Sequence, residues 1–410
     1  MKHLNFIICG CGCRGTGLAK DVICGLEDVQ IVGVCDPYED KAEKLASALE
    51  EKVGYRPQVF TDSVAMMEAL KPDAALVSTG WEAHIEVAIE AMKRGIAVAM
   101  EVGGAYSEQE CRDLVAAQEQ TGTPFMFMEN CCFNRDELLA TSLVRNGQFG
   151  RVVYCHGAYG HDLRKEVAYG DINRHYRLRN YSNYNRENYP TPELGPIARL
   201  LGINRGNRMV SLVSRASMAL GLHEYVQDKP ELEYLRDREF AQGDIVETLI
   251  TCENGELINL RLDTTLPRNY SRELTVRGTR GLYTQETNMV LLDGQFKEMF
   301  NTIKATQLYC NNATEYYDKY LPEIWSSVTE ETTKKGHGGM DYFEFVAFVD
   351  ALRSGADMPI DVYDAAAWMS IAYLTEQSIA MGGAPVEIPD FTNGAYKNRE
   401  NRDVVEIPTV

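Results

Sequence analysis

The stretch from Asn5 to Asp36, NFIICGCGCRGTGLAKDVICGLEDVQIVGVCD, decides the fold. Asn5 to Cys9 is a short apolar run with the look of a buried strand. Gly10-Cys11-Gly12-Cys13-Arg14-Gly15 follows as GxGxxG, and a helical pattern runs from about Thr16 to Cys24. A second apolar strand, VQIVGVC, ends at Asp36, 21 residues beyond Gly15. Strand, glycine turn, helix, strand and acidic residue in this order form the dinucleotide fingerprint. Gly10 permits the tight turn, and Gly12 lets a pyrophosphate approach backbone N–H groups. Gly15 lets the helix pack close to the strand, so that its N-terminus faces the phosphates. Asp36 accepts hydrogen bonds from the adenosine ribose and repels a 2′-phosphate. Pro37 and Tyr38 follow it, with no arginine beside it, so NAD is expected rather than NADP.

The pattern continues as alternating strands and helices up to Met128. Strands are expected near Val59, at Ala74 to Ser78, Ile96 to Met100 and Phe125 to Met128. Helices are expected at Glu39 to Glu51, up to Leu70, at Glu82 to Lys93 and at Ser107 to Glu119, the last opened by a Ser107/Glu110 capping box. Near-continuous apolar strands alternating with helices mean a parallel, doubly wound sheet, a Rossmann-type α/β domain over 1–128. Ligands of such sheets sit at the carboxyl ends of the strands. The expected cofactor contacts are therefore Gly10, Gly12, Arg14, Gly15, Asp36, Ser78, Trp81, His84, Glu101 and Asn130.

The remainder, 129–410, reads as an α+β domain. A helix is expected at Asn134 to Asn146 and a strand at Arg151 to Tyr159. The segment RHYRLRNYSNYNRENYPTPELGP, Arg174 to Pro196, is rich in Tyr, Arg and Asn, and is either surface loop or the lining of a polar site. MVSLVSRAS, DIVETLITCE, ELINLRLDT and RELTVRG then suggest a mostly antiparallel sheet. Helices return at Asp341 to Arg353 and Asp361 to Met381.

Composition narrows the partners. The 410 residues carry 41 Lys plus Arg against 60 Asp plus Glu, a formal charge of −19. Such a surface repels nucleic acid and anionic lipid. The 11 cysteines include no CxxC pair, and Cys9, Cys11 and Cys13 read as small side chains around a turn, so no metal is expected. Reduced thiols and a start without a leader pattern point to the cytoplasm. The acidic surface is compatible with a homo-oligomer through the second-domain sheet.

Nine stretches together resemble the Gfo/Idh/MocA oxidoreductases, and within them the family-109 glycoside hydrolases, NAD-dependent α-N-acetylgalactosaminidases. They are GCGCRG, MEVGGA (100–105), ENCCFNRDEL (129–138), GAYGHDLR (157–164), YPTPELGP (189–196), INRGNR (203–208), GHGGMDYF (336–343), DVYDAAAW (361–368) and IPDFTNG (388–394). The resemblance implies bound NAD and a sugar or glycoside substrate. It also implies a redox-neutral hydrolysis: oxidation at C3, loss of the C2 proton with expulsion of the C1 substituent, water addition, and re-reduction. It further assigns Glu129, Tyr159, Arg177, Tyr189 and Tyr270 to the active site, with His161 beside them.

Two departures from the family pattern matter. The wider dehydrogenase family has a lysine in an EKP motif, and this chain reads Glu101-Val102-Gly103, as the redox glycosidases do. The glycosidase motif YPTHG holds a histidine, whereas this chain has Pro192 followed by Glu193. Proline cannot transfer a proton, so Glu193 is the expected substitute, with His161 and His175 as alternatives. Loss of the hydrolytic half of the cycle would leave a sugar 3-dehydrogenase, the competing expectation. A non-catalytic NAD-sensing scaffold is the third.

Overall fold

The computed structural model describes residues 3–295 and 302–410. The chain divides into two compact units, 1–133 with 327–366, and 134–326 with 367–410. This division is discontinuous, unlike the linear split at 128/129, because the helix Met340–Ser354 returns to the first unit.

In the first unit, strands β1 (Leu4–Cys9), β2 (Val29–Cys35), β3 (Gln58–Phe60), β4 (Ala74–Val77), β5 (Ala97–Glu101) and β6 (Phe125–Met128) form one sheet in the order β3-β2-β1-β4-β5-β6. Every pairing is parallel. This is the strand order of the doubly wound dinucleotide fold. Helices α1 (Cys13–Asp21), α2 (Glu39–Val53), α3 (Ser63–Leu70), α4 (Trp81–Lys93) and α5 (Glu108–Thr121) fill the crossovers. Strands β4 and β5 inside the sheet, and β6 at its edge, are buried along their whole length, as a sheet covered on both faces requires. Helix α1 opens at Cys13, inside the glycine motif and earlier than the apolar pattern indicates. Ser107 caps α5 through the Glu110 amide at 3.3 Å, and Glu110 reaches back to the Tyr106 amide at 2.7 Å. The helix Met340–Ser354 packs on the 3-10 turn Asn130–Phe133, and Phe348 meets Phe6 edge to face at 6.1 Å.

The second unit holds α6 (Arg135–Arg145) and an eight-stranded sheet. Its strands are β7 (Val152–Gly160), β8 (Met209–Ala216), β9 (Ile245–Cys252), β10 (Leu257–Asp263), β11 (Thr275–Gly278), β12 (Gly281–Thr284), β13 (Met289–Leu292) and β14 (Val386–Glu387). They run in the order β13-β12-β11-β7-β10-β9-β8-β14, antiparallel except for β7 against β10. The expected mostly antiparallel sheet is thus present, and the molecule is α/β overall. Residues 155, 157 and 159 of β7 share one face with Ile258, Leu260 and Leu262 of β10. The buried helix Thr191–Leu200 covers that face: a Cβ on Gly157 would stand 2.9 Å from Glu193 Cβ. The Tyr- and Arg-rich segment is no surface loop, since Arg186, Glu187 and Asn188 are all buried. Among the described residues no helix is long and apolar enough to cross a membrane.

Candidate active site

The glycine turn shows why its glycines are required. Gly10 has φ +100°, and a Cβ there would lie 2.4 Å from the Ser78 carbonyl oxygen. A Cβ on Gly15 would lie 2.1 Å from the Gly10 carbonyl oxygen. Gly12 differs: a Cβ there meets nothing within 4 Å. The first two glycines serve close packing within the protein, and the third leaves an open approach to the N-terminus of α1. That is the cradle a pyrophosphate needs. Asp36 closes the far side of the turn. Its carboxylate accepts the Cys11 amide at 2.9 Å and the Tyr38 amide at 3.0 Å, which fixes it at the end of β2 with acceptor capacity left for ribose hydroxyls. These residues fit NAD.

The other expected cofactor residues fall into two groups. Ser78 donates its hydroxyl to the Gly10 carbonyl at 2.9 Å, so it braces the turn. Trp81 packs its indole against Gly103, where a Cβ would come within 2.7 Å. His84 is buried with Nε2 3.0 Å from the Thr79 carbonyl, and burial lowers its pKa to about 4, which keeps it neutral. The second group is an ion-pair network. Arg14 donates to Glu101 at 3.0 Å and, through both terminal nitrogens, to Asp341 at 2.7 and 2.9 Å. His337 Nδ1 lies 2.9 Å from Asp341, and Asn130 donates to Asp341 at 2.6 Å. Arg14 therefore ties the start of α1 to the returning helix. Asp341 and His337 were not singled out from the sequence, although both lie in GHGGMDYF. Glu129 sits in the same unit, buried, accepting the Cys131 amide at 3.1 Å.

The second unit gathers five of the expected substrate-side residues. Tyr159 and His161 lie at the carboxyl end of β7, with the phenol oxygen 3.2 Å from His161 Nδ1. The Tyr159 ring meets Tyr189 at 4.8 Å and Tyr270 at 6.4 Å, and His161 meets Tyr270 at 5.2 Å. The Arg177 guanidinium stands 5.1 Å over the Tyr189 ring and pairs with Glu166 at 3.0 Å. Its positive charge acts on Tyr159 and Tyr181, which favours any negative charge developing on those phenols. Burial and the Arg177 charge both lower the His161 pKa, so the imidazole stays neutral and able to accept a proton. Burial pushes the Tyr176 phenol up to about 12 and raises Tyr181 as well, in both cases against the pull of Arg177. Glu193 is buried against Gly157, two residues before Tyr159 on the same sheet face.

What holds Tyr270 carries no mark in the sequence. Arg272 donates to its hydroxyl at 3.2 Å and forms a buried pair with Glu137 of α6 at 2.7 Å. One arginine and one glutamate 135 residues apart carry no motif.

Comparison with known proteins identifies the family. The family profile described as Oxidoreductase family, NAD-binding Rossmann fold, matches residues 4–128, and Glycosyl hydrolase 109, C-terminal domain, matches residues 133–398. An alpha-N-acetylgalactosaminidase of Tannerella forsythia is 35% identical, covering 97% of this chain and 88% of that protein. A glycosyl hydrolase family 109 protein of Stenotrophomonas maltophilia is also 35% identical, over 97% of this chain and 91% of its own length. Among solved structures, myo-inositol 2-dehydrogenase from Lactobacillus plantarum superposes with a TM-score of 0.67 at 15% identity, covering 95% of this chain and 100% of its own. Scyllo-inositol dehydrogenase from Lactobacillus casei, solved with NAD(H) and scyllo-inositol, gives 0.64 at 14%, covering 94% and 99%. At such identities the structures show the fold alone, while the profiles and full-length relatives show the family. An NAD-binding Rossmann unit joined to this second domain makes the chain an NAD-dependent, carbohydrate-active enzyme, and it belongs to glycosyl hydrolase family 109.

Proposed function

We propose that the enzyme is a redox-neutral glycosidase acting on α-N-acetylgalactosaminides or closely related small glycosides. The observation that carries this reading is the Tyr159–His161–Tyr189–Arg177–Tyr270 cluster, in a chain that also has the NAD cradle and lacks the EKP lysine. Bound NAD supplies a two-electron oxidant and reductant for the sugar C3 carbon, and the protein's own groups handle the protons. Tyr159 takes the C3 hydroxyl proton, with neutral His161 as the acceptor behind it. Tyr189, under the Arg177 charge, removes the C2 proton that a C3 ketone has acidified. Loss of that proton expels the C1 substituent; water then adds at C1 and the proton returns to C2. Arg177 and Tyr270 orient the sugar. Glu193 supplies the acid that Pro192 cannot.

Pro192 also favours a second reading, a glycoside 3-dehydrogenase that stops at the ketone. One assay separates the two. Nitrophenyl α- and β-glycosides are incubated with the enzyme and NAD+, while phenol and NADH are followed together. The first reading expects phenol without net NADH. NADH build-up with a keto-sugar and no phenol would establish the second.

On this reading the first unit serves the cofactor and the second the substrate. The net charge of −19 favours a small glycoside over nucleic acid as partner. No disulfide joins any of the eleven cysteines, which suits a reducing cytoplasm. Self-association through the second-domain sheet completes the proposal.

A further inference from the structure

The first unit buries more acid than it can balance. Four carboxyl groups, those of Glu101, Glu129, Asp341 and Glu344, interact at the carboxyl ends of β5 and β6, and all four residues are at most 5% exposed. The positive groups there are Arg14 and, when protonated, His337. Arg14 is already divided between Glu101 and Asp341, and His337 and Asn130 complete the shell of Asp341. Asp341 is thereby held well below the usual carboxylate range. Nothing is left for Glu344. It lies one turn beyond Asp341 on the helix Met340–Ser354, is 0% exposed, and neither of its oxygens has a hydrogen-bond partner among the described residues. An ionised carboxylate buried without a partner costs several kcal/mol, so the group carries a proton. Burial first, then the charges of Glu101 and Asp341, push its pKa up, against the pull of Arg14. No group of three or more potential ligands among the described residues has the arrangement to hold a metal ion in place of that proton.

The topology says what meets this cluster. Asp36 follows β2, on one side of β1, and takes the adenosine ribose. The nicotinamide half of a bound dinucleotide would then lie on the other side, toward the ends of β4, β5 and β6, where Glu101 and Glu129 stand. An oxidised nicotinamide ring is positively charged and a reduced one is neutral.

We propose that Glu344 is a buried proton donor that gives up its proton when NAD+ binds and keeps it when NADH binds, so that the protein favours the oxidised cofactor increasingly as pH rises. The balance is protein–COOH + NAD+ ⇌ protein–COO⁻·NAD+ + H+, with no proton term for NADH. The inference rests on the NAD reading of the first unit and is independent of the sugar chemistry. A protein that prefers NAD+ favours return of the electrons to the sugar, which suits a cycle ending with its cofactor oxidised.

The test is calorimetric titration of the purified chain with NAD+ and with NADH, from pH 6 to 9, in buffers of different ionisation enthalpy. Binding of NAD+ should release up to about one proton more than binding of NADH, and the ratio of the two affinities should rise by up to about tenfold per pH unit. E344Q, which keeps the shape of the neutral acid, should still bind both nucleotides with a flat ratio. Should E344Q not fold, E344M takes its place. Equal proton release for the two nucleotides in the natural protein overturns the proposal. So does a difference that survives in the variant, because the proton then belongs to another group. Absence of any dinucleotide binding would overturn the NAD reading as well, and so is distinguishable from failure of the proton coupling alone.

Discussion

Tyr159 and Tyr189 touch ring to ring at 4.8 Å, yet the first is backed by a neutral imidazole and the second lies under a guanidinium. Different surroundings give like groups different duties. Y159F and Y189F should each lower kcat by about 10²–10⁴-fold with little change in folding stability, measured on a nitrophenyl glycoside alongside urea melts. A loss confined to KM would remove them from proton transfer. His161 adds a pH limit. Its pKa is lowered from 6.5, so it is neutral above that value and gains a proton only below it. The acid limb of kcat/KM should therefore fall below pH 6.5, and H161N should remove it. His84 gives a stability counterpart. Its pKa is about 4 in the folded protein against 6.5 for the free side chain, so the unfolded chain binds the extra proton between those values. About 3 kcal/mol of stability should be lost as pH falls from 6.5 through 4, and urea melts of H84N should lack that slope. Tyr159 and Tyr189 were legible in the sequence only through resemblance, since an exposed-looking tyrosine in a polar segment has no signature of its own.

At the scale of elements, the β1–turn–α1 unit was readable directly, because its demands are local. A positive φ, the close approach of Gly15 to the Gly10 carbonyl and an acid at the end of the next strand all fall within the 27 residues from Gly10 to Asp36, and the Ser78 backbone alone comes in from farther along. The two kinds of glycine can be told apart by experiment. G12A adds a methyl where the protein leaves space, so it should fold normally and lose NAD binding. G10A forces a side chain onto the Ser78 backbone at φ +100° and should cost about 1–3 kcal/mol in addition. Equal melts for the two variants would contradict the assignment. The second-unit strands were also readable from alternation, but their order was not. Nothing local tells β7 to lie parallel to β10 with β9 beyond it. Nor does periodicity reveal that Arg174 to Pro196 folds inward. Some of its polar groups meet partners far along the chain: the Glu187 backbone amide donates to Thr375 at 2.9 Å, and the Asn188 side-chain amide donates to Gln242. Arg272 and Glu137 make the same point. R272A would strand a buried carboxylate behind Tyr270 and should cost about 3–5 kcal/mol in a urea melt.

For the whole molecule, the proposed function is a division of labour. One unit carries a dinucleotide cradle and the other the aromatic cluster proposed to handle protons, and an ordinary glycosidase has use for only one of these. The returning helix Met340–Ser354 escapes a linear reading, since its tie to α1 runs through Arg14 and Asp341, 327 residues apart. The central claim is that hydrolysis passes through C3 oxidation and loss of the C2 proton. Cleavage of the best nitrophenyl glycoside in D2O, with the released sugar read by NMR, tests it most directly. One deuterium at C2 and the original hydrogen at C3 are expected. A released sugar with protium at both carbons would mean that hydrolysis never touched C2, and would contradict it.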